Sequence, residues 1–352
     1  MTANRAAFWI LFLAFAAALL VICFLLIFAL FSRVRPLAAN STPSAAPTLQ
    51  AELPRPSLPP VSSASASPAA STPTVAPLPS GPGKIVYVCQ IFKSSATDQI
   101  CLMNADGSAQ RRLSSDDNAK HFYPSFAPDG KSIVFSSNLA HDGGFDIYEM
   151  DLSGNIQRLT QDIGILTAPE ISPDGQKIVF TRAEGDATDL WVMNRNGAKP
   201  HLLYKNAWDA SWSPDGRRIL LAAPIAGYAV QLASIRVNGT DFQRLSNLPY
   251  IRGRNDWSAD GRWIITYAGQ PWQRELFLMN ADGSDAHQIS PPGGNSQGPS
   301  FSPDSQSVVF TAYFDHYRDE LGCEIYTLRL DGTQLARLTD NDYCDWQPRW
   351  GP

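Results

Sequence analysis

Five times between residues 125 and 312 the chain returns to one pattern. The segments read SFAPDGKSIVFSS (125–137), EISPDGQKIVFTR (170–182), SWSPDGRRILLAA (211–223), DWSADGRWIITYA (256–268) and SFSPDSQSVVFTA (300–312). A second motif comes after each and also occurs once before the first: ICLMNADGSAQRRLS, IYEMDLSGNIQRLT, LWVMNRNGAKPHLL, LASIRVNGTDFQRLS, LFLMNADGSDAHQIS and IYTLRLDGTQLARLT. The spacing is 41 to 49 residues. A period of that size points to a solenoid or a propeller.

The chemistry of one repeat sets its local structure. In Ser-Pro-Asp-Gly, Pro presets φ at the second turn position, Asp bonds nearby backbone, and Gly takes the strained last position. Asp-Gly or Asn-Gly in the second motif is a hairpin signal. Between the turns run short segments of Ile, Val, Phe, Tyr and Trp, which favour strands. Each repeat therefore predicts four short strands, A to D from the inside out. A single sheet of this kind cannot bury both faces; packing sheets radially about an axis does so and leaves only short edges.

The first repeat begins at Lys84 with a strand B, KIVYVC, and lacks a strand A. The missing strand stands at the far end as WQPRW (346–350). The C-terminal segment is thus expected to complete the blade that the N-terminal segment begins, which closes a ring. The expected fold is all-β: a six-bladed β-propeller over residues 84–352.

The SPDG–IVF–IYxMNADGS–LT pattern resembles the TolB-like propeller repeat, a WD-like repeat of bacterial envelope proteins, over all of residues 84–350. The resemblance implies the fold and an envelope setting, and is compatible with several activities. TolB itself has an α/β domain before its propeller. This chain has other segments there, so it reads as a relative and not as TolB. The repeat also resembles the propellers of prolyl oligopeptidase-type peptidases, which carry a separate hydrolase domain; none is expected within these 352 residues.

Residues Ala6 to Phe31 contain no charged side chain, with Arg5 before them and Arg33 and Arg35 after. A bilayer core needs ~20 apolar residues in a helix, and the run is longer than the apolar region of a signal peptide. Residues 1–35 are expected to be an uncleaved transmembrane anchor. From Pro36 to Gly83 the chain is Pro, Ser, Ala and Thr without an aromatic residue, charged only at Glu52 and Arg55. Such a segment cannot bury enough apolar surface to offset ordering, and its prolines favour extended stretches. Residues 36–83 are expected to be a disordered stalk. Arg33 and Arg35 favour an inside location for the chain on their C-terminal side, but long domains translocate largely regardless of nearby charge. The expected arrangement is a single-pass cell-membrane protein with an extracytoplasmic, monomeric propeller.

A net charge of −5 and a pI near 5.5 argue against nucleic acid as a partner. The repeated Asp-Gly pairs lack the acidic spacing of a calcium loop and read as turns. His121, His141, His201, His287 and His316 show no metal-binding spacing and are expected in surface loops. Gly294-Asn295-Ser296-Gln297-Gly298 matches G-x-S-x-G, but leads into a strand and not into the helix that a nucleophile elbow needs. No cofactor, metal or catalytic residue is expected.

The short A–B and C–D turns share one face; the long, dissimilar D–A and B–C connections share the other. Binding residues usually sit on variable loops of a rigid scaffold. The candidate binding face comprises Tyr250, Arg252, Arg254, Trp272, Arg274 and Tyr317. Alternation along strand A directs Phe126, Ile171, Trp212, Trp257, Phe301 and Trp350 between blades, and Ser125, Glu170, Ser211, Asp256, Ser300 and Arg349 into the channel. That ring is expected to be wet, with Arg349 balancing the two acids at about 0–1 kcal/mol, as for exposed pairs.

Cys89 ends strand B of the first blade and Cys101 opens its strand C. Cys323 lies at the end of a B–C connection and Cys344 in the D–A connection to the closing strand. The expected disulfides are Cys89–Cys101 and Cys323–Cys344, gathered at the seam where the ring closes. Bridges persist in an oxidising compartment, so the pairing also bears on location. The sequence supports first a non-catalytic binding or scaffold module for an envelope protein or glycan. Its alternatives are a propeller-type lyase or hydrolase with its site on the loop face, and a purely structural surface protein.

Overall fold

The computed structural model describes residues 82–352 except 91–96, 141–142, 186, 252, 317 and 320–321. The anchor and residues 36–81 of the stalk lie outside the described residues. Six four-stranded antiparallel sheets form the blades. Blade I joins β24 (Asp345–Gly351) to β1 (Lys84–Gln90), β2 (Asp98–Asn104) and β3 (Arg111–Arg112). Blade II is β4 (His121–Phe126), β5 (Ser132–Ser137), β6 (Asp146–Asp151) and β7 (Ile156–Arg158); blade III is β8 (Ile165–Ile171), β9 (Lys177–Glu184), β10 (Ala187–Asn194) and β11 (His201–Tyr204). Blade IV is β12 (Trp208–Trp212), β13 (Arg218–Pro224), β14 (Val230–Arg236) and β15 (Gln243–Arg244). Blade V is β16 (Asp256–Trp257), β17 (Trp263–Ala268), β18 (Glu275–Asn280) and β19 (His287–Gln288). Blade VI is β20 (Gln297–Phe301), β21 (Ser307–Ala312), β22 (Glu324–Arg329) and β23 (Ala336–Arg337).

The first strands of the blades touch in a closed cycle, β24 to β4, β8, β12, β16, β20 and back to β24. In blade I, Trp350 pairs with Ile85 and Gly351 with Lys84, so the C-terminal segment is the inner strand. Each of the six blade interfaces holds its own apolar cluster. Strand B packs on both faces, which is why its residues form unbroken buried runs. Phe135, Phe180 and Phe310, at one position of the IVF repeat, are fully buried; blade V places Thr266 there, also fully buried.

The recurring RLS or RLT at the end of the second motif has a structural reason. In blade I, Ile100 N–H donates to Ser114 Oγ (3.0 Å), and the Ser114 hydroxyl donates to Gln99 Oε1 (2.6 Å). Thr160 with Asp146, Ser246 with Gln231, Ser290 with Glu275 and Thr339 with Glu324 repeat this exchange. Blade III lacks the hydroxyl; there Asp189 Oδ1 accepts from Asn206 N–H (2.9 Å). The A–B turn repeats a bond from Ser to Asp, as at Ser172–Asp174 (2.6 Å), and Ser305 takes φ 57° where the other blades use glycine.

The C–D hairpin glycine also locks neighbouring blades. At Gly283, with φ 86°, a Cβ would stand 2.0 Å from the Leu245 carbonyl oxygen of the preceding blade. At Gly107 a Cβ would stand 3.1 Å from the Leu338 carbonyl oxygen, a tighter-than-usual contact across the seam where the ring closes. An alanine at Gly283 would meet both a disfavoured φ and a backbone clash.

Both predicted disulfides are present, with Cα separations of 5.9 Å for Cys89–Cys101 and 4.5 Å for Cys323–Cys344. Gln90 N–H donates to the Cys344 carbonyl (3.2 Å), so the two bridges lie side by side at the seam. His121 departs from the loop reading. It sits in β4, fully buried, with Nδ1 bonded to Ser137 Oγ (2.8 Å), and burial pulls its pKa down to about 4. His201, His287 and His316 are exposed; His141 lies outside the described residues.

Candidate axial binding site

Each inner strand changes its backbone two residues before its channel residue. Tyr123, Ala168, Asp209, Arg254, Gly298 and Gln347 all have positive φ, between 43° and 59°. Pairing registers shift at this point in blades I, II, III, IV and VI. A bulge leaves one residue unpaired and re-aims its side chain. Five of these six residues are not glycine, and αL backbone at such positions carries a cost. The outcome is a second ring on the axis, on the loop side of the predicted one.

The predicted ring holds Arg349 between two acids, with Nη2 3.4 Å from Glu170 Oε2 and Nη1 3.3 Å from Asp256 Oδ2. These three side chains are only 10–17% exposed, so the ring is far less open to solvent than the wet-channel reading held. Its acids also stitch blades. Glu170 Oε1 accepts from Trp212 N–H (2.7 Å), and Asp256 Oδ2 accepts from Phe301 N–H and the Ser300 hydroxyl (2.9 Å each). Ser300 Oγ accepts from Trp350 N–H (3.2 Å). Ser211 is fully buried against Asn255 Oδ1 (3.2 Å). Ser125, Glu170, Asp256, Ser300 and Arg349 line a cavity of about 170 Å³ on the side of the A–B turns. Burial pushes the Glu170 pKa up to about 7, with Arg349 opposing and Asp256 adding to it.

The second ring is different in kind. A cavity of about 160 Å³ is lined by Tyr123, Asp209, Arg254, Tyr267, Gln297, Gly298, Thr311, Tyr313, Trp346 and Gln347. A Cβ added at Gly298 would meet nothing within 4 Å, so that glycine opens the space. Arg254, 6% exposed, directs its guanidinium toward the Gln347 carbonyl (3.4 Å) and over the Tyr123 ring (5.3 Å). Its Nε has no partner, and among the described residues no carboxylate oxygen lies within 4.0 Å of it. Asp209 instead accepts from the Arg254 backbone N–H (3.1 Å). Burial, followed by the charge of Arg349, lowers the Arg254 pKa to about 10, with Asp209 opposing; burial raises that of Asp209, with Arg254 opposing, and those of Tyr123 and Tyr267.

The candidate loop-face residues divide accordingly. Tyr250 is half exposed. Trp272 packs edge-on against Tyr313 (5.0 Å), while Arg274 donates to Gln297 and stands over Tyr267 (5.9 Å), placing both beside the cavity mouth. Arg254 does not face outward: with φ 43° just ahead of β16 it is buried at the axis. Arg252 and Tyr317 lie outside the described residues. Asp209, Tyr123, Gly298 and Gln347 went unread in the sequence. Their signal was the column two residues before the ring in HFYPSF, LTAPEI, WDASW, GRNDW, QGPSF and WQPRW.

Other features carry less chemistry. Ser296 of the G-x-S-x-G match is fully buried ahead of β20. A wider groove of about 610 Å³ lies between blades II and III, but its Arg195 and Glu149 are already paired at 2.6 Å. Among the described residues no group of three His, Cys, Asp or Glu could share a metal ion.

Residues 64–240 match the family described as TolB beta propeller domain, half of the chain. The chain belongs to that family. It is similar to the uncharacterized protein Atu1656 of Agrobacterium fabrum, 29% identical over 246 residues, 65% of this chain and 80% of that one. It is similar to the uncharacterized peptidase YuxL of Bacillus subtilis, 26% identical over 201 residues. That match covers 54% of this chain and 29% of YuxL, so the chain spans less than a third of the peptidase's length. Among solved structures, TolB from Acinetobacter baumannii superposes with a TM-score of 0.67 at 22% identity, covering 77% of this chain and 67% of that one. At that identity the likeness speaks to fold.

Proposed function

We propose that this TolB-like propeller is an extracytoplasmic binding module, carried on an N-terminal membrane-spanning segment and a Pro/Ser/Ala/Thr-rich linker. It engages an envelope protein or glycan through the face built from the D–A and B–C connections. The pair of disulfides at the seam carries the extracytoplasmic part of this reading, because structural bridges persist where thiols are not kept reduced. The aromatic and arginine side chains at Tyr250, Trp272 and Arg274 support recognition, as such residues anchor interfaces. The axis offers buried ion pairs and tyrosine rings, groups suited to holding a polar ligand.

The test is capture by the full-length protein of envelope proteins and peptidoglycan from its own cells, compared with a Tyr250→Ala/Trp272→Ala variant. Capture at least tenfold lower in the variant is expected. Equal capture by the two proteins removes the loop face as the binding surface.

A further inference from the structure

A guanidinium at the loop end of the propeller axis has the buried acid Asp209 near it but no carboxylate oxygen within 4.0 Å among the described residues. Arg254 is 6% exposed, its Nε is unpartnered, and its guanidinium reaches protein through a long hydrogen bond to the Gln347 carbonyl. A buried cation with no carboxylate in direct contact is costly to hold. Its own backbone is αL, with φ 43°, a conformation retained where surrounding structure enforces it. The space in front of it is kept open by Gly298. Thr311 Oγ1, also buried and unpartnered, lines the same space.

We propose that this axial cavity captures the C-terminal carboxylate of a peptide or protein chain inserted from the loop face. The size argues for a chain end. About 160 Å³ has room for about five waters, well below the ~300 Å³ at which small-molecule pockets begin. It admits one terminal residue and excludes a cofactor or a whole saccharide. The chemistry also fits. Arg254 supplies a charge-assisted fork for the carboxylate, and Thr311 adds a hydroxyl. Gln297 and Gln347 present amides to the last peptide unit, and the rings of Tyr123, Tyr267 and Tyr313 face a small side chain. Terminal-carboxylate capture is a recurring mode of peptide recognition. The assignment rests on the binding-module reading and names the chemistry of its ligand.

Trp346 lines the cavity and serves as a reporter. The full-length protein is titrated by tryptophan fluorescence with acetyl-dialanine, with its C-terminal amide and with galacturonate. The free acid is expected to bind at least tenfold more tightly than either. Gly298→Asn fills the cavity with a residue that tolerates αL backbone, and should weaken acid binding at least tenfold with an unchanged melting temperature. Arg254→Met should weaken it as much. Equal affinity for acid and amide, preference for galacturonate, or wild-type binding by the Gly298→Asn variant overturns the assignment. Absent acid binding with envelope capture intact also overturns it and leaves the wider reading standing. Acid binding by a protein that captures no envelope component supports the cavity and sinks the wider reading.

Discussion

Arg349 and Glu170 meet at 3.4 Å on the propeller axis, joining the closing strand of blade I to the inner strand of blade III across 179 residues of sequence. With Asp256 at 3.3 Å, the guanidinium holds three blades together through two mostly buried ion pairs. Removing one partner from a buried pair leaves uncompensated charge. Arg349→Met is therefore expected to destabilise the protein by about 3 kcal/mol. Denaturant titration checks this, and a loss below ~1 kcal/mol would mean that solvent screens the ring as it does exposed pairs.

The same burial predicts an unusual pH dependence. Glu170 is raised from 4.5 to about 7, first by desolvation. Asp345 is raised from 3.8 to about 7 by desolvation, then by the charge of Glu324. An acid with a higher pKa folded than unfolded contributes fully below its unfolded pKa and loses that contribution as pH rises through its folded value. The stabilising share of these two acids is thus expected to fall between pH 4 and about 7. Melting temperatures should decline from pH 5 to 7.5, and a Glu170→Gln/Asp345→Asn variant should flatten the decline. An unchanged slope in that variant assigns the titration to other groups.

The Cys323–Cys344 bridge closes a loop of 21 residues beside the seam. A loop of this size is worth about 3 kcal/mol when its cross-link constrains the unfolded chain. Cys323→Ala/Cys344→Ala should lower the denaturation midpoint accordingly, and reductant should lower that of the wild type. Identical midpoints with and without reductant would show that the seam does not depend on its bridges.

Thr266 stands where Phe135, Phe180 and Phe310 stand in other blades, fully buried with its hydroxyl unpartnered. Thr266→Val keeps the shape and removes the unpaired polar group. The expected gain is about 1 kcal/mol, read as a rise of about 2–4 °C in Tm by calorimetry. A lower Tm would mean that the hydroxyl has a partner, such as an ordered water.

Much of the fold was legible because its determinants are local and recur. Pro-Asp-Gly and Asn-Gly each specify a turn within four residues, and the strand between them is too short to shift register unnoticed. WQPRW could be placed as the inner strand of blade I because one strand was missing at Lys84. The cysteine pairs were legible for the same reason, since each cysteine falls at a named end of a named strand. The site was less legible. Arg254 looked like a loop arginine because only three residues separate it from Tyr250, half exposed at the surface. His121 looked like a loop histidine because the groups that bury it, among them Ser137 and Phe135 of β5, are brought to it by sheet pairing and not by neighbouring sequence.

By itself the sequence determined six blades, the closing strand, the phase of the inner strands and the cysteine pairs. All of these arise from turn chemistry and two-residue alternation, which act over a few bonds. Only the tertiary structure decided what the axis became. Positive-φ backbone at Tyr123, Asp209, Arg254 and Gln347 sets those side chains against the axial cavity, and no residue type at these positions requires αL backbone. The convergence of six strands then removes solvent from Arg349, Glu170 and Arg254. Burial, not composition, turns a ring of charges into one blade-spanning network and one guanidinium with no carboxylate in direct contact.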